Sequence, residues 1–468
     1  MRSWSLLIGP AAAAVVGTVL SARGLPWEAA ATAGLTALCA VWWVTEAIPI
    51  PATSLLPIAV LPLLGVVSSA KVGQAFGHPL ILLLMGGFML STALERSGAH
   101  RRIALRMIHL ASVGGELTGR RIVFAFMAAA AVLSMWVSNA ATTLMLLPIA
   151  LATLDTLGDP RRAPRLRNAV LLGIAYAASV AGTSTPVGTP PNLLCMNELA
   201  KSPIGEPTFA EWMRWALPAS LPMLGLSALW LTRGLGRRVE VVLPDAGRWT
   251  TAEVRTLAVF GVTALLWVTR REPFGGWSEA VGLPHANDAS VALLAVVAMF
   301  LIPSGNAVEE GHPPDRLLDW ETAGRIPWGM LLLFSGGMVL ALGFRESGLA
   351  DAVSGTLTAL ASAPPPLLLL GLCLSVTFLT EVTSNTATTA LLMPLLASVA
   401  TATDLDPRLL MVPAAISASF AFMLPVATVP NAAVYGAGVS TKAMAREGFA
   451  LNLIGAVVVS VVAWLQFG

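Results

Sequence analysis

The chain has 468 residues, of which 56% are hydrophobic and only 12% are charged, and its mean hydropathy is +0.76. Soluble proteins carry about 25% charged residues, so this composition excludes a soluble globular fold and predicts ten or more membrane helices of about 20 residues. Long unbroken apolar runs exclude a membrane β-barrel, whose strands alternate, and a net charge of +2 gives no bulk attraction to nucleic acid.

Apolar segments follow one another along the whole chain, starting with a run from Trp4. We predict that this first run is a membrane helix and not a secretory signal, because Ala22-Arg23-Gly24 is a poor cleavage site and a second run follows at once. The predicted segments are 4–22, 27–48, 53–69, 79–95, 122–154, 168–198, 210–232, 255–269, 288–303, 328–344, 365–400, 409–440 and 448–467. Segments 122–154, 168–198, 365–400 and 409–440 are too long or too interrupted for one straight span.

The residues that commonly bind metals are scattered. The three cysteines lie in separate apolar stretches and are predicted to be small core residues, and no two histidines have helical i,i+4 spacing. These residues are Cys39, Cys195, Cys373, His78, His100, His109, His285 and His312. We therefore expect no zinc or haem site.

Three sequence blocks of the first half recur in the same order in the second half, which indicates an internal duplication. Leu84-Met-Gly-Gly87 corresponds to Phe334-Ser-Gly-Gly337. The other two pairs are Ser138-Asn-Ala-Ala-Thr-Thr143 with Ser384-Asn-Thr-Ala-Thr-Thr389, and Pro186-Val-Gly-Thr-Pro-Pro-Asn192 with Pro425-Val-Ala-Thr-Val-Pro-Asn431. Segments interrupted by Gly and Pro in two matching halves are typical of a transporter binding site.

Positive charge is distributed unequally between the two halves. Nine arginines lie from residue 100 to residue 167, whereas residues 346–407 contain no Lys or Arg. The positive-inside rule then places both ends of segment 122–154 in the cytoplasm and both ends of its counterpart outside. Such segments are re-entrant helical hairpins, so the two repeats have inverted topology. The N-terminus is expected in the cytoplasm and the chain in the inner membrane.

Ser and Asn stand at the midpoint of each predicted hairpin, where one arm ends and the other begins. Ser138-Asn139 and Ser384-Asn385 are strong helix N-cap residues. Carbonyl oxygens freed at the end of the first arm, together with Ser and Asn side-chain oxygens, suit a hard cation such as sodium. The amides that begin the second arm favour an anion. The alternative is that these side chains only hold membrane helices together.

The blocks rich in Pro and Gly predict a break in the helix that follows each hairpin. A small residue at Gly188 and at Ala427 leaves a backbone carbonyl open to an ion, and the neighbouring prolines prevent the helix from closing over the gap. Asn192 and Asn431 are expected either to bond the freed backbone or to cap the next helix.

Neither hairpin motif nor either break contains Lys or Arg. A buried anion there needs co-bound cations and helix N-termini to balance its charge, which predicts obligatory coupling to a cation. Glu46 and Glu381 lie in apolar sequence context. Each is expected either to relay protons or to hydrogen-bond a helix end.

Trp42-Trp-Val-Thr-Glu-Ala-Ile-Pro49, the paired Ser-Asn motifs and the paired breaks together resemble the divalent anion/sodium symporter family over nearly the whole chain. That family carries C4-dicarboxylates, citrate or sulfate with sodium. The resemblance implies an all-α integral membrane protein with about eleven transmembrane helices plus two re-entrant helical hairpins in two inverted-topology repeats. It also implies a homodimer in which a mobile transport domain moves against a scaffold, in an elevator-type mechanism.

The family pattern, matched to this sequence, implies domain bounds and ligands. Residues 1–112 are scaffold helices and a first interfacial helix, 113–240 and 363–468 are the two halves of the transport domain, and 250–362 are scaffold helices of the second repeat. The implied sodium site 1 is Ser134, Ser138, Asn139 and Gly188. The implied sodium site 2 is Thr380, Thr383, Ser384, Asn385 and Ala427. The implied substrate contacts are Ser138, Asn139, Ala140, Thr189, Ser384, Asn385, Thr386 and Thr428.

Two positions depart from the family motifs. Ala140 stands where the first motif usually has Thr, and Val429 stands where the second break usually has Pro. Both positions border the anion in the family. They therefore bear on the choice of substrate more than on the sodium sites.

The prediction is a sodium-coupled symporter of small divalent anions, such as the C4-dicarboxylate succinate, with sodium as coupling ion and no other cofactor. Sulfate or citrate symport, dicarboxylate exchange and proton-coupled anion transport are alternatives within transporters. A channel is a further alternative, because re-entrant hairpins also occur in channels. A membrane enzyme is disfavoured, since the sequence offers no convergent nucleophile, metal cluster or acid–base pair.

Overall fold

The computed structural model describes residues 3–110, 118–156, 164–235, 245, 247–272, 275–305, 315–349, 352 and 364–468. The implied domain bounds at 112/113, 240 and 362/363 lie outside these residues, as do Arg161 and Arg162 of the arginine-rich stretch. The described residues form helices and loops, with one isolated β-bridge between Pro303 and Arg316. The all-α fold class predicted from the sequence is confirmed.

The helices account for every predicted apolar segment. They are α1 (Ser3–Ala22), α2 (Trp27–Thr45), α3 (Ile50–Leu63), α4 (Ser69–Phe76), α5 (Pro79–Ser97), α6 (Ala99–Leu110), α7 (Gly119–Ser134), α8 (Asn139–Asp155), α9 (Pro164–Gly182), α10 (Pro190–Leu199), α11 (Phe209–Leu231), α12 (Thr251–Val268), α13 (Gly276–Ala280), α14 (Asp288–Leu301), α15 (Trp320–Ala323), α16 (Trp328–Glu346), α17 (Pro365–Thr380), α18 (Asn385–Thr403), α19 (Pro407–Ala418), α20 (Val429–Gly436) and α21 (Thr441–Phe467). Each of the four overlong segments is two helices. Six helical stretches among the described residues are long and apolar enough to cross a membrane.

Local sequence decides where the broken helices restart. Thr118, Ser138 and Thr428 are N-caps whose hydroxyls each accept the backbone N–H three residues later. Pro190 and Pro430 lie in the first turn of α10 and α20, where a missing N–H leaves no helical bond unmade. Local capping residues and first-turn prolines therefore fix where these helices begin.

The two halves pack reciprocally, as an internal duplication requires. α3 packs against α16 and α14 packs against α5, where α3–α5 and α14–α16 are equivalent helices. The repeated Gly-Gly blocks make this approach possible. A Cβ on Gly86 would lie 2.7 Å from the Cβ of Ala292, and a Cβ on Gly336 would clash with the carbonyl oxygen of Ser54.

The helices after the breaks exchange partners between the halves. α10 packs against α18 and α19 of the second half, and α20 packs against α8 and α9 of the first half. Each hairpin therefore supports the broken helix of the other repeat, and the two breaks belong to one packed unit.

Candidate cation and anion sites at the helix breaks

Each hairpin consists of two helices joined by a four-residue tip. The first tip (135–138) joins α7 to α8, and the second tip (381–384) joins α17 to α18. The first break (183–189) separates α9 from α10, and the second break (419–428) separates α19 from α20. The residues predicted for the two sodium sites all lie at these tips and breaks or at the helix ends beside them.

A cluster of oxygen atoms joins the first hairpin to α9. Ser134 Oγ, which is fully buried, lies 2.6 Å from Oδ1 of Asn139 and 2.8 Å from the carbonyl oxygen of Ala178. A hydroxyl has one hydrogen, so it satisfies one of these acceptors and leaves the lone pairs of the other facing an oxygen. The cluster brings the oxygen atoms of two side chains and one backbone carbonyl together, and oxygen is the ligand type that hard cations prefer.

The second hairpin contains the same arrangement. Thr380 Oγ1 is fully buried and lies 2.7 Å from Oδ1 of Asn385 and 2.8 Å from the carbonyl oxygen of Ala418. Thr380 and Asn385 are the repeat counterparts of Ser134 and Asn139, and Ala418 is one position from the residue that aligns with Ala178. The two repeats therefore keep the same arrangement of oxygen atoms, although Ser134 has become Thr380.

Gly188 brings the first break into contact with the first cluster. A Cβ on Gly188 would clash with the carbonyl oxygen of Gly182 and lie 3.0 Å from that of Ser134. Ala427, its counterpart in the second break, carries a Cβ and is buried. The second break therefore leaves room for a methyl group that the first break does not.

Asn192 and Asn431 bind the backbone that the breaks leave free. The Asn192 amide donates to the carbonyl oxygens of Thr185 at 2.7 Å and of Gly182 at 3.0 Å. The Asn431 amide donates to two carbonyl oxygens at 2.9 and 3.0 Å. Of the two expected roles, bonding the freed backbone and capping the next helix, the structure shows the first. Oδ1 of each asparagine is buried and has no hydrogen-bond partner within the described residues.

Glu381, in the second tip, is buried and holds the second break. Its carboxylate accepts the backbone N–H groups of Phe422, Met423 and Leu424 at 2.7, 2.8 and 2.9 Å. The side-chain amide of Asn452 donates to the same carboxylate at 2.7 Å. Glu381 was expected to relay protons or to hydrogen-bond a helix end, and the geometry shows it bonding free N–H groups of the break between two helices.

Glu46 lies elsewhere and is exposed, although its sequence neighbours are apolar. It caps α2 in a left-handed conformation with φ 47°, so the helix ends there and the side chain points to the surface. The three cysteines are free and buried. In the part of the chain that the structure describes, no group of three or more His, Cys, Asp or Glu could hold a metal ion.

Thr383 distinguishes the second tip from the first. Its hydroxyl donates to the carbonyl oxygen of Leu379 at 2.8 Å and lies 2.7 Å from the hydroxyl oxygen of Thr388. The counterpart in the first tip is Val137, and the hydroxyl of Thr142 is buried there without a partner among the described residues. The sequence prediction already placed Thr383 in sodium site 2 and no counterpart in site 1, but it did not predict the bond between Thr383 and Thr388.

Four helix N-termini, those of α8, α10, α18 and α20, lie at the tips and breaks. The Ser138 and Thr428 hydroxyls cap their own helices, whereas Thr189 and Ser384 make no side-chain capping bond. These two uncommitted hydroxyls and the positive ends of the helix dipoles are groups of the kind that favour an anion.

The positions that depart from the family motifs border this region. Thr386 is buried in the first turn of α18, and Ala140, its counterpart in α8, is half-buried and has no hydroxyl. Val429, at the start of α20, is 56% exposed. The first turns of α8 and α18 therefore differ chemically, since only the second carries a hydroxyl at this position.

Comparison with known proteins places these sites in a family. The family described as citrate transporter matches residues 40–411 of the chain. The chain belongs to this family. The resemblance to divalent anion/sodium symporters noted in the sequence is confirmed by this match and by the relatives below. The family and these relatives are transporters and not enzymes. The chain is therefore a multi-pass membrane protein.

Curated relatives cover almost the entire chain. The sodium-dependent dicarboxylate transporter SdcS of Staphylococcus aureus (strain bovine RF122 / ET3-1) is 36% identical over 478 aligned positions, which cover 98% of this chain and 90% of that protein. The same transporter from strain NCTC 8325 / PS 47 has the same identity and coverage. The crystal structure of the Alcanivorax borkumensis YdaH transporter, described as having an unusual topology, matches with a TM-score of 0.58 and 16% identity. It covers 93% of this chain and 98% of that one, and shows the fold alone.

Proposed function

We propose that the protein is a sodium-coupled symporter of divalent anions, with C4-dicarboxylates such as succinate as substrates. The observation that carries the proposal is the pair of equivalent oxygen clusters, one at each hairpin. The name of the Staphylococcus aureus relatives, sodium-dependent dicarboxylate transporter, supports both the coupling ion and the substrate class.

In this proposal each cluster binds one sodium ion with its side-chain and backbone oxygens. Site 1 comprises Ser134, Ser138, Asn139 and Gly188. Site 2 comprises Thr380, Thr383, Ser384, Asn385 and Ala427. Neutral oxygens surround both ions, so each bound sodium adds a full positive charge beside the breaks. That charge, with the four helix N-termini, balances a dianion without a fixed Lys or Arg.

The dianion lies between the two tips, with one carboxylate toward each repeat. Its proposed contacts are Ser138, Asn139, Ala140, Thr189, Ser384, Asn385, Thr386 and Thr428. Thr386 donates a hydroxyl that Ala140 lacks, so the first end relies more on backbone amides and water. A neutral hydrogen bond is worth about 0.5–1.5 kcal/mol, so this inequality shifts affinity several-fold without excluding dicarboxylates.

In the proposed inverted topology the N-terminus is cytoplasmic and the chain lies in the inner membrane, an orientation that rests on the positive-inside rule. Ion pairs support the relative sidedness of the loops. Each pair joins two groups that the topology assigns to the same side of the membrane. The cytoplasmic pairs are Arg96–Asp315, Arg102–Glu253 and Arg233–Glu447, and the outer pairs are Lys71–Glu346, Lys201–Glu198 and Arg214–Glu272. Since most of these pairs connect segments far apart in sequence, a wrong topology would separate several partners by the bilayer.

The family pattern also supports a homodimer that works by an elevator movement. The scaffold is then formed by α1–α6 and α12–α16, and the transport domain by the hairpins, the broken helices, α11 and α21. Counting each broken helix once, these elements give about eleven crossings and two hairpins.

The test is uptake of labelled succinate, citrate and sulfate by purified protein in liposomes, with sodium replaced by choline in a parallel series. We expect saturable succinate uptake that requires an inward sodium gradient. Uptake that persists in choline, or flux that does not saturate, contradicts the proposal. Uptake that appears only when the liposomes are preloaded with dicarboxylate would indicate an exchanger. The Asn139→Ala, Asn385→Ala double variant is the matched control for leak.

A further inference from the structure

A cavity of about 280 Å³ lies away from the tips, where the two predicted domains meet. The end of α10 and the loop after it form one wall, with Glu198 and Lys201. The last turn of α16 forms another with Arg345, and the second half of α18 a third with Ser398 and Thr401. α16 belongs to the proposed scaffold, whereas α10 and α18 belong to the proposed transport domain.

The cavity carries a net positive charge. Lys201 Nζ lies 2.6 Å from the buried carboxylate of Glu198, and the two charges cancel. The Arg345 guanidinium is exposed and forms no hydrogen bond or ion pair among the described residues. Burial lowers the pKa of Lys201, Glu198 opposes that shift, and Arg345 adds to it. Arg345 therefore projects its uncompensated charge into the cavity.

Most hydroxyls of the cavity are already committed. Ser398 donates to the carbonyl oxygen of Pro394 at 3.0 Å, and Thr401 donates to that of Ala397 at 3.0 Å. The apolar part of the wall includes Phe344 and Pro407. A ligand with a carboxylate at one end and methylene groups beside it suits this lining, because Arg345 pairs with the charge and the ring and prolines contact the carbons.

The position of the cavity along α18 relates it to the substrate site. Pro394 and Thr401 are 9 and 16 residues beyond Asn385. At about 1.5 Å per residue, the cavity is roughly 14–24 Å from the second tip, toward the open end of the second hairpin. Residues 346–407 contain no Lys or Arg, so Arg345 is the last cation before a long stretch without one.

We propose that this cavity is a capture site for the dicarboxylate on the outer side of the membrane, distinct from the site between the tips. The inference rests on the proposed function and its topology. The Arg345 guanidinium holds one carboxylate of the incoming anion near the domain boundary. This raises the local concentration of the anion on the outer side of the site between the tips. Movement of α10 and α18 against α16 changes the cavity walls, so the anion leaves as the transport domain moves.

The test compares succinate uptake by intact cells, which reports the outer side, with uptake by inside-out membrane vesicles, which reports the cytoplasmic side. An exposed ion pair changes affinity by up to about fivefold, so we expect Arg345→Gln to raise the KM two- to fivefold in cells, with kcat unchanged. Arg345→Lys is expected to retain the wild-type KM. Thr401→Asp, an exposed position, is expected to raise the KM as well. Neither Arg345→Gln nor Thr401→Asp should change the KM in inside-out vesicles.

Arg271→Gln is the matched control, because it removes an exposed guanidinium from the same side away from the cavity. An unchanged KM in Arg345→Gln and Thr401→Asp, or an equal change in Arg271→Gln, overturns the capture site. A change that appears only in proteoliposomes containing anionic lipid also overturns it, since the ligand is then a lipid phosphate. Failure of the proposed function is seen separately, as absence of sodium-driven uptake in the wild type.

Discussion

The two breaks have the same function in the fold, but their surroundings differ. The first break is almost wholly buried, and α11 holds it from outside: the Trp212 indole donates to the carbonyl oxygen of Thr183 at 2.9 Å, and Ser220 lies 2.9 Å from the Thr183 hydroxyl. The second break is more exposed, with Val426 80% exposed. It is held from within its own hairpin by Glu381. One repeat therefore uses neutral donors and the other a buried charge.

This difference also changes where the helices stop. α9 continues to Gly182, whereas α19 ends at Ala418, about one turn earlier in the aligned repeats. Glu381 takes the N–H groups of residues 422–424, which then cannot serve a helix. The duplication thus preserves the oxygen clusters while the supporting bonds have diverged. Substitutions at equivalent positions are expected to have unequal effects.

The largest difference between the effects of equivalent substitutions is expected at the small residues of the breaks. Gly188→Ala forces a methyl group into backbone carbonyl oxygens, and overpacking of this kind costs about 1–3 kcal/mol. We expect sodium-activated succinate uptake to fall at least tenfold. Ala427→Gly is the matched control and is expected to retain most activity. Wild-type sodium activation in Gly188→Ala, with a normal size-exclusion profile, would show that the first break does not form a cation site.

The next largest effect is expected at Glu381. Glu381→Gln places an amide against a backbone N–H and leaves a buried donor unsatisfied, which costs about 1–3 kcal/mol. We expect a lower melting temperature in detergent and a weaker apparent sodium affinity. Met135→Gln puts the same amide at the equivalent position of the first tip, where no such bonds exist, and is expected to change little. If Glu381→Gln instead abolishes the pH dependence of uptake at unchanged stability, Glu381 relays protons.

A smaller effect is expected where the anion meets the tips. Ala140→Thr restores the hydroxyl that Thr386 has in the second repeat and adds about 0.5–1.5 kcal/mol of binding. Succinate affinity is expected to rise several-fold with sodium activation unchanged, and Thr386→Ala is expected to lower it by a similar factor. Loss of uptake of every anion in Ala140→Thr would mean that the substrate fills this space, and the dicarboxylate assignment would be wrong.

The smallest effect is expected at Val137. At the second tip, the hydroxyls of Thr383 and Thr388 bond each other. Val137→Thr is expected to give the buried Thr142 hydroxyl at the first tip the same kind of partner. A buried hydrogen bond contributes about 0.5–1.5 kcal/mol, so we expect a slightly higher melting temperature, and a lower one for Thr383→Val. A decrease in Val137→Thr would show that the two tips are not interchangeable in packing.

The sequence alone predicted the helices, the two tips and the two breaks, because the signals for them are local. Ser138 and Ser384 are N-caps, and the closely spaced prolines and glycine of residues 186–191 break a helix, whereas a single proline such as Pro148 lies inside one. The support of the sites was not predictable in this way. Glu381 binds N–H groups 41–43 residues further along the chain, and only the packing of α17 against α19 brings them together. The exposure of Glu46 was not predictable in this way either, because apolar sequence neighbours do not show that a helix ends at that residue.

The central claim is that both oxygen clusters bind sodium. The most direct measurement is succinate uptake by proteoliposomes over a range of sodium concentrations, at constant ionic strength with choline, for the wild type, Asn139→Ala and Asn385→Ala. A hydrogen bond or contact to a charged group is worth roughly 1.5–3 kcal/mol. Each variant should therefore need at least tenfold more sodium for half-maximal uptake, and its sodium dependence should be less cooperative than that of the wild type. A wild-type sodium curve in either variant would contradict the claim for that cluster.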